Sequence, residues 1–280
     1  MPQMKIEKDY YTAKQVKEKL GITPNQLYGY VRNGTLQHIY PPGKRQGIYL
    51  RSEVDQLAED LQLFQVVGQK PSTKEDIDAV FSLAQPDDME GIDDLAVRLF
   101  GKRSIGADRR RSWLAKEPRG NYVMKHKADG RVVAYFYIQP FTHETIENYL
   151  HQRIRGWQIT KDHIIPFVPG EPRECFIGAI GTDPDIEDDL RSAYVAMLLR
   201  GIRQDLQRLA GEGVTISKLY TASSNFEGTY MCLHLGMELW ESPAQKRLTF
   251  VLDVKKSKSF LLQPYKKSLA EWQKRQKPIS

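Results

Sequence analysis

Helix signals are densest in residues 12–34, where the chain runs TAKQVKEKLGITPNQLYGYVRNG. The hydroxyl of Thr12 can accept a hydrogen bond from the free N–H groups of a first helical turn. Ala13, Val16 and Leu20 follow at helical spacing, and the glycine after Leu20 favours the end of a helix. A first short helix is therefore expected directly after Thr12.

A second helix is predicted after a turn of only Gly-Ile-Thr. Thr23 followed by Pro24 is a start signal, because proline at the first helical position already has a helical φ. Leu27 and Val31 supply a buried stripe, and Gly34 ends the helix. Two helices joined by so short a turn cross steeply, as in a helix-turn-helix unit that places its second helix in the major groove of DNA.

We expect the residues of the second helix that face away from its apolar stripe to contact the DNA bases. Residues 38–51 then predict two short strands around a turn with two adjacent cations, a wing that would contact phosphates. A third helix is expected from residue 52. The predicted DNA-binding residues are Thr23, Asn25, Gln26, Tyr28, Tyr30, Arg32, Lys44, Arg45, Tyr49 and Arg51.

This segment resembles the winged helix-turn-helix domains of the MerR and excisionase types. The resemblance is carried by Thr12, Ala13, Val16, Leu20, Gly21, Ile22, Thr23, Leu27, Val31, Gly34, Thr35, Leu36, Tyr49, Glu53 and Val54. The chain departs from the MerR pattern at Tyr28, where an arginine is usual. The resemblance implies double-stranded DNA as the partner, and the alternative is a small helical domain that contacts protein.

Length and charge agree with a protein of two parts. The 280 residues predict about two domains, and 41 Lys and Arg against 35 Asp and Glu give a formal net charge of +6. Such an excess favours polyanionic partners without proving them. Cations crowd residues 102–119 and residues 255–277, and each run is either a solvated face or a surface that contacts phosphates.

The two cysteines, Cys175 and Cys232, lie far apart in the chain. There is no apolar N-terminal segment with a cleavage site and no apolar run that could span a bilayer, so we expect a cytoplasmic protein without a membrane partner. The six histidines form no close pair with the cysteines, so no metal site is predicted.

Breakers without hydrophobic period predict a linker at residues 67–73. It separates a DNA-binding domain, residues 1–66, from a second domain over residues 74–254, which a basic C-terminal tail over residues 255–280 follows. A capping box at Thr73 predicts that the second domain opens with a helix containing Ile77, Val80, Phe81 and Ala84.

In the remainder of the second domain, the sequence pattern predicts a helix, a hairpin, a strand, a long helix, a strand, a helix and a strand, in that order. Asp129 and Gly130 mark the hairpin turn, and the long helix is expected over about residues 188–210. This order predicts an α+β protein whose second domain is a mixed sheet with helices on its faces. A polar excursion over residues 141–173 is a lid, a dimer contact or a variable loop.

Residues 224–240, SNFEGTYMCLHLGMELW, resemble the GNAT acetyltransferases, in which an Asn begins the last helix and Leu-Gly before a large apolar residue ends it. The resemblance spans roughly residues 72–254. It implies that the N-terminus of the long helix holds the pyrophosphate of acetyl-CoA or another acyl-CoA through backbone N–H groups and the helix dipole. The cofactor-binding candidates are Arg191, Ser192, Ala193, Tyr194, Ala196 and Asn225.

The chain departs from the GNAT pattern at two places. Tyr194 stands where the phosphate loop has a glycine, and Glu187, Asp188 and Asp189 put negative charge near the expected pyrophosphate. Cys232 replaces the tyrosine that usually acts as general acid, which makes Cys232 the catalytic candidate. A lone cysteine on a helix is also explained as a small buried hydrophobe, so the sequence leaves enzymatic activity undecided.

Three functions follow from these patterns. The first is a transcriptional regulator whose GNAT-like domain is catalytically degenerate and senses a ligand or self-associates. The second is an active acetyl-CoA-dependent N-acetyltransferase with a DNA-binding address domain. The third is an excisionase-like accessory protein of a mobile element. A homodimer would predict an operator with two-fold symmetry, but the sequence fixes neither the oligomeric state nor the operator.

Overall fold

The computed structural model describes residues 9–32, 35–40, 47–67, 78–101, 105–240 and 247–276, and within them it describes the backbone alone at residues 59, 60, 62–67, 188 and 189. The chain divides into unit 1, Met1–Gln65, and unit 2, Val66–Ser280. Beyond residue 67, the predicted linker at residues 67–73 lies outside the described residues.

The described residues of unit 1 form a three-stranded antiparallel sheet and three helices. In chain order the elements are β1 (Tyr10–Thr12), α1 (Ala13–Leu20), α2 (Pro24–Arg32), β2 (His38–Ile39), β3 (Ile48–Leu50) and α3 (Arg51–Val67). In the sheet, β3 lies between β1 and β2. Both short helices are present where the caps and the apolar spacing predicted them.

Reciprocal caps set the starts of α1 and α2. The backbone N–H of Gln15 donates to Thr12 Oγ1 at 3.4 Å, and Thr12 N donates to Gln15 Oε1 at 2.8 Å. Thr23 and Gln26 form the same pair of hydrogen bonds at the start of α2. Gly21 ends α1 with a φ of +64°, a backbone conformation that glycine adopts without steric cost.

The apolar stripes of these helices meet in one small core. Its buried residues are Val16, Leu27, Leu36, Tyr49, Val54 and Leu57. Burying an aliphatic side chain of this size contributes about 1.5–3 kcal/mol. The core therefore joins α1, α2 and α3 to the sheet through residues from each of them.

The described residues of unit 2 form a seven-stranded sheet in the order β4-β5-β6-β7-β8-β10-β9. Its strands are β4 (Ala79–Leu83), β5 (Asn121–His126), β6 (Val132–Gln139), β7 (Pro172–Thr182), β8 (Thr215–Ser223), β9 (Glu238–Trp240) and β10 (Leu248–Asp253). Neighbours are antiparallel except β7 and β8, which run parallel. The predicted α+β class and the mixed sheet are thus confirmed.

Helices cover the sheet of unit 2. In chain order they are α4 (Met89–Phe100), α5 (Ala107–Lys116), α6 (His143–Leu150), α7 (Asp188–Gly211), α8 (Phe226–His234) and α9 (Gln263–Gln276). α4, α5 and α6 bury apolar residues in the core cluster that contains Tyr137 and Tyr220, and this side of the sheet is called the Tyr137 face. α7 connects β7 to β8 across the sheet, as a parallel pair requires.

Within the segment predicted as the first helix of the second domain, Ala79–Leu83 is a strand, which corrects that expectation. Ala79 pairs with His126 and Leu83 with Tyr122, so β4 is the edge of the sheet. A short apolar run fits a helix and a strand equally well, and here the free edge of β5 decided between them.

The excursion over residues 141–173 is packed into the core of unit 2. α6 buries Ile146 and Leu150, and Ile159 joins the same cluster further along the chain. The indole N–H of Trp113 donates to the Ile159 carbonyl at 3.2 Å. These contacts favour a fixed structural segment over a lid.

Part of the predicted basic tail is the helix α9, which packs against α7. Tyr265 is fully buried at its start. Its hydroxyl accepts from Ile216 N at 2.6 Å and donates to the Val214 carbonyl at 3.0 Å. The tail therefore contributes to the fold of unit 2.

Candidate functional site

Strands β7 and β8 pair over only part of their length. The parallel register runs from Pro172 opposite Thr215 to Phe176 opposite Tyr220. Beyond it, β7 continues against β6 and β8 continues against β10. The wedge between residues 177–182 of β7 and residues 221–223 of β8 is called the parting.

Backbone groups of β7 face the parting. Asp183 N donates to the Val133 carbonyl at 2.8 Å, so the polar groups of Asp183 point toward β6. Because these groups alternate along a strand, the N–H and C=O groups of Ile180 and Thr182 point toward the parting. An extended ligand that carries amides could pair with them.

The turn between β7 and α7 is acidic. Asp183 is fully buried and accepts hydrogen bonds from Arg98 at 2.6 Å, from Arg131 and from Asp185 N at 3.1 Å. Burial opposes its charge, but the hydrogen bonds from Arg98 and Asp185 N and the two guanidinium charges lower the pKa of Asp183. Glu187 is exposed directly before α7. Carboxylates thus stand where a pyrophosphate was expected, and Asp183 and Asp185 are paired with Arg98 and Arg131.

The residues predicted for the phosphate loop are engaged within the protein. The Arg191 guanidinium donates to the carbonyls of Pro184 and Ile186 at 2.9 and 2.7 Å. Tyr194 and Ala196 are buried, and Ser192 and Ala193 are half-buried on α7. The structure therefore places these candidates near the start of α7, with the arginine turned toward the loop carbonyls.

Asn225 is the cap of α8. Its side-chain oxygen accepts from Gly228 N at 2.9 Å, and this hydrogen bond explains why an asparagine begins the helix. Asn225 follows the end of β8, on the β8 side of the parting.

Cys232, the catalytic candidate, lies on α8. Burial raises the pKa of its thiol to about 11, so the thiol stays protonated at neutral pH. Because the thiolate is the reactive form, Cys232 is a poor nucleophile at that pH.

A polar cluster at the closed end of the parting was missed by sequence reasoning. Glu174 Oε2 lies 2.5 Å from His143 Nδ1, and the Tyr220 hydroxyl donates to Glu174 Oε1 at 3.4 Å. Lys218 Nζ is 3.4 Å from the same carboxylate, and Glu147 Oε1 is 3.2 Å from His143 Nε2. We call these five residues the Glu174 cluster.

Position and chemistry make this cluster a candidate base. Glu174 lies two residues before Phe176 on β7, which is about 7 Å along the strand and on the same face. A carboxylate hydrogen-bonded to an imidazole can accept a proton from a nucleophile. Its members come from α6, β7 and β8, so no local pattern in the sequence brings them together.

Most of the predicted DNA-binding residues of unit 1 lie at its surface. Thr23, Asn25, Gln26, Tyr28, Arg32 and Arg51 are exposed. Tyr28 exposes 69% of its surface, while Leu27 beside it is buried. Arg51 lies over the Tyr11 ring at 4.6 Å. One side of α2 thus carries polar and aromatic groups.

Tyr49 and Tyr30 are less exposed than the other predicted DNA-binding residues that the structure describes. Tyr49 is 4% exposed, because β3 turns it into the core, where its ring stacks on His38 at 4.9 Å. Burial raises the pKa of Tyr49. Tyr30 is half-buried against the same core. The wing cations Lys44 and Arg45 lie outside the described residues.

In the part of the chain that the structure describes, no cluster of three or more His, Cys, Asp and Glu residues suits a metal ion. Likewise, none of the described helices is both long and apolar enough to cross a lipid bilayer.

No protein-family model matches the chain, and no curated protein matches it. Among solved structures, the chain is similar to the loading GNATL domain of CurA from Lyngbya majuscula at 9% identity and a TM-score of 0.44, over 63% of this chain and 98% of that one. It is also similar to a polyamine N-acetyltransferase of Drosophila melanogaster at 15% identity and a TM-score of 0.39, over 63% of this chain and 100% of that one. A third similar structure is the NatC complex bound to Gag peptide and CoA, at 8% identity and a TM-score of 0.41, over 63% of this chain and 99% of the matched chain.

Proposed function

We propose that unit 2 binds an acyl thioester of the acyl-CoA type in the parting and transfers the acyl group to an amine. The observation that supports this most is the separation of β7 from β8 directly beside the Glu174 cluster. The separation would let a donor chain lie beside the backbone groups of Ile180 and Thr182, and the cluster would provide a proton acceptor at its closed end.

The donor would bind as an added strand. The pantetheine segment of CoA is extended and carries two amides, which match the backbone groups of Ile180 and Thr182 in kind. Main-chain pairing of this type gives affinity without a dedicated side chain. The thioester would then lie toward Phe176, where the strands meet.

The chemistry needs one proton acceptor. The amine nitrogen attacks the thioester carbonyl, an amide bond forms, the C–S bond breaks, and the sulfur leaves as a thiol after taking a proton. Glu174, held by His143, would accept the proton that the attacking nitrogen loses. Cys232 remains the residue that the GNAT resemblance places near the departing sulfur.

The nucleotide end of the donor would contribute little to affinity. Glu187 would repel phosphates at the start of α7, and Arg98 and Arg131 are already paired with Asp183 and Asp185 there. The guanidinium of Arg191 is engaged by loop carbonyls. We therefore expect acetyl-pantetheine and acetyl-CoA to bind with similar affinity, and we expect salt to change either affinity little.

Calorimetric titration with both thioesters tests the proposal, followed by detection of free thiol in the presence of a panel of amines. Binding with turnover supports acyl transfer. Binding without turnover favours the degenerate, ligand-sensing domain instead. Absence of heat at millimolar concentration of both thioesters would remove both versions.

A second function, binding of duplex DNA by unit 1, is favoured by the surface of α2. Asn25 and Tyr28 are exposed on the helix whose Leu27 is buried, as a recognition helix requires. Arg32 lies exposed at its end. Regulation of transcription and an excisionase-like role would both use this contact.

Genomic footprinting followed by anisotropy titrations tests the DNA contact. Asn25→Ala should change the preferred sequence, whereas Arg32→Ala should weaken all duplexes and lower the salt dependence. Lys14→Ala, on the exposed surface of α1, is the control. An unchanged preference in Asn25→Ala would contradict the assignment of α2 to the major groove.

A further inference from the structure

Arg110 of α5 is a buried cation. It is 8% exposed, and its guanidinium lies 5.3 Å from the Tyr135 ring centre and 5.8 Å from that of Tyr137. In the described part of unit 2, the carboxylates of Glu90 and Asp108 pair with the neighbouring Arg111 instead. Arg110 thus has aromatic neighbours but no ion pair among the described residues.

A small cavity adjoins this guanidinium. Its lining residues are Met89, Ile92, Arg110, Asn121, Tyr122, Tyr135, Phe136 and Tyr137. Arg110 Nε and Asn121 Nδ2 are buried donors for which the described residues supply no acceptor. The cavity has room for a single small species, such as a water molecule or a monatomic ion.

We propose that this cavity is a binding site for a single monatomic anion of the halide class, with Arg110 and Asn121 as its ligands. Both groups without a partner are hydrogen-bond donors, so a species that only accepts hydrogen bonds suits them. A buried charge is costly unless an opposite charge accompanies it. A water molecule would satisfy the donors, but it would leave the guanidinium charge without compensation.

The tyrosines of the cavity do not supply that opposite charge. Burial raises the pKa of both Tyr135 and Tyr137, so both rings carry neutral hydroxyls at physiological pH. The Tyr137 ring also packs against Gly178 of β7, where a Cβ atom would come within 2 Å of it. The site is therefore one side chain away from the parting, although it does not depend on the proposed acyl transfer.

Bromide is a suitable probe, because it replaces chloride and scatters anomalously. Crystals of the full chain grown in sodium bromide should show an anomalous peak between Arg110 Nε and Asn121 Nδ2. In solution, chloride should raise the melting temperature saturably relative to sodium gluconate of equal ionic strength, because a ligand of the native state stabilises it by mass action.

Variants separate the site from general salt effects. Asn121→Asp places a carboxylate in the cavity, so it should fold and lose the chloride dependence of the melting temperature. Arg110→Met should lose it as well, whereas Arg111→Met, on the same helix but outside the cavity, should retain it. Density without an anomalous bromide signal, or an unchanged chloride dependence in Asn121→Asp, would overturn the proposal.

Discussion

At the scale of single residues, Glu174 is the group that most distinguishes the Tyr137 face. One carboxylate contacts a histidine, a tyrosine hydroxyl and a lysine from three different elements. Two predictions belong to this scale.

Glu174→Gln keeps the shape of the side chain but removes the proton acceptor. We expect kcat to fall about 100- to 10,000-fold with little change in the KM of the acyl donor. Glu171→Gln, an exposed neighbour that pairs with Arg173, is the control and should behave like the wild type. Full activity of Glu174→Gln would remove the base from the mechanism.

The thiol of Cys232 should react slowly at neutral pH. Since burial raises its pKa to about 11, the reactive thiolate is scarce at pH 7 and becomes abundant only as pH approaches that value. Alkylation by iodoacetamide, followed by mass spectrometry, should therefore accelerate up to about that pH. Rapid alkylation of Cys232 at pH 7 would contradict the raised pKa.

At the scale of elements, β7 shapes the candidate site. Its glycines make room for side chains of β6, since a Cβ atom at Gly178 would overlap the Tyr137 ring and one at Gly181 would lie 3.1 Å from the Tyr135 ring. β7 thus forms the floor on which both rings lie. It also supplies the backbone groups that face the parting.

Gly178→Ala tests this packing. The new methyl group would force Tyr137 to move, and overpacking of this kind destabilises a protein by about 1–3 kcal/mol. Gly211→Ala is the control, because a Cβ atom there has open space at the end of α7 and alanine is the better helix former. Urea unfolding should separate the two variants. Equal midpoints would show that Tyr137 does not need the glycine.

At the scale of the whole molecule, the two units have separate cores. Leu27 belongs to the core cluster of unit 1, and Leu95 belongs to that of unit 2. Since each unit buries its own apolar residues, each can unfold as its own cooperative transition. The cores therefore allow the two units to be destabilised separately.

Leu27→Ala and Leu95→Ala test this independence. Truncation of a buried leucine to alanine costs about 2–5 kcal/mol. In the full chain, Leu27→Ala should lower only the unfolding transition of unit 1, and Leu95→Ala only that of unit 2. Calorimetry of both variants gives the result. A shift of both transitions by either variant would mean that the units unfold together.

Local signals explain why many elements were predicted. α1 and α2 follow from Thr12, Gly21 and Thr23, because caps act within a few residues of the chain. The hairpin of β5 and β6 follows from a tight turn at Asp129 and Gly130 for the same reason. By contrast, β4 was predicted as a helix, because its pairing partner lies some forty residues away.

The amino-acid sequence alone was sufficient to predict the helix caps, the helical spacing, the α+β class and the acidic residues before α7, since each depends on neighbours in the sequence. Folding in three dimensions settled where β7 and β8 separate, which side chains join Glu174, and that Tyr49 is buried. It also brought Arg110 and Asn121 to one cavity. These features arise from strand register and helix packing, which join residues that are distant in the chain and leave no local pattern.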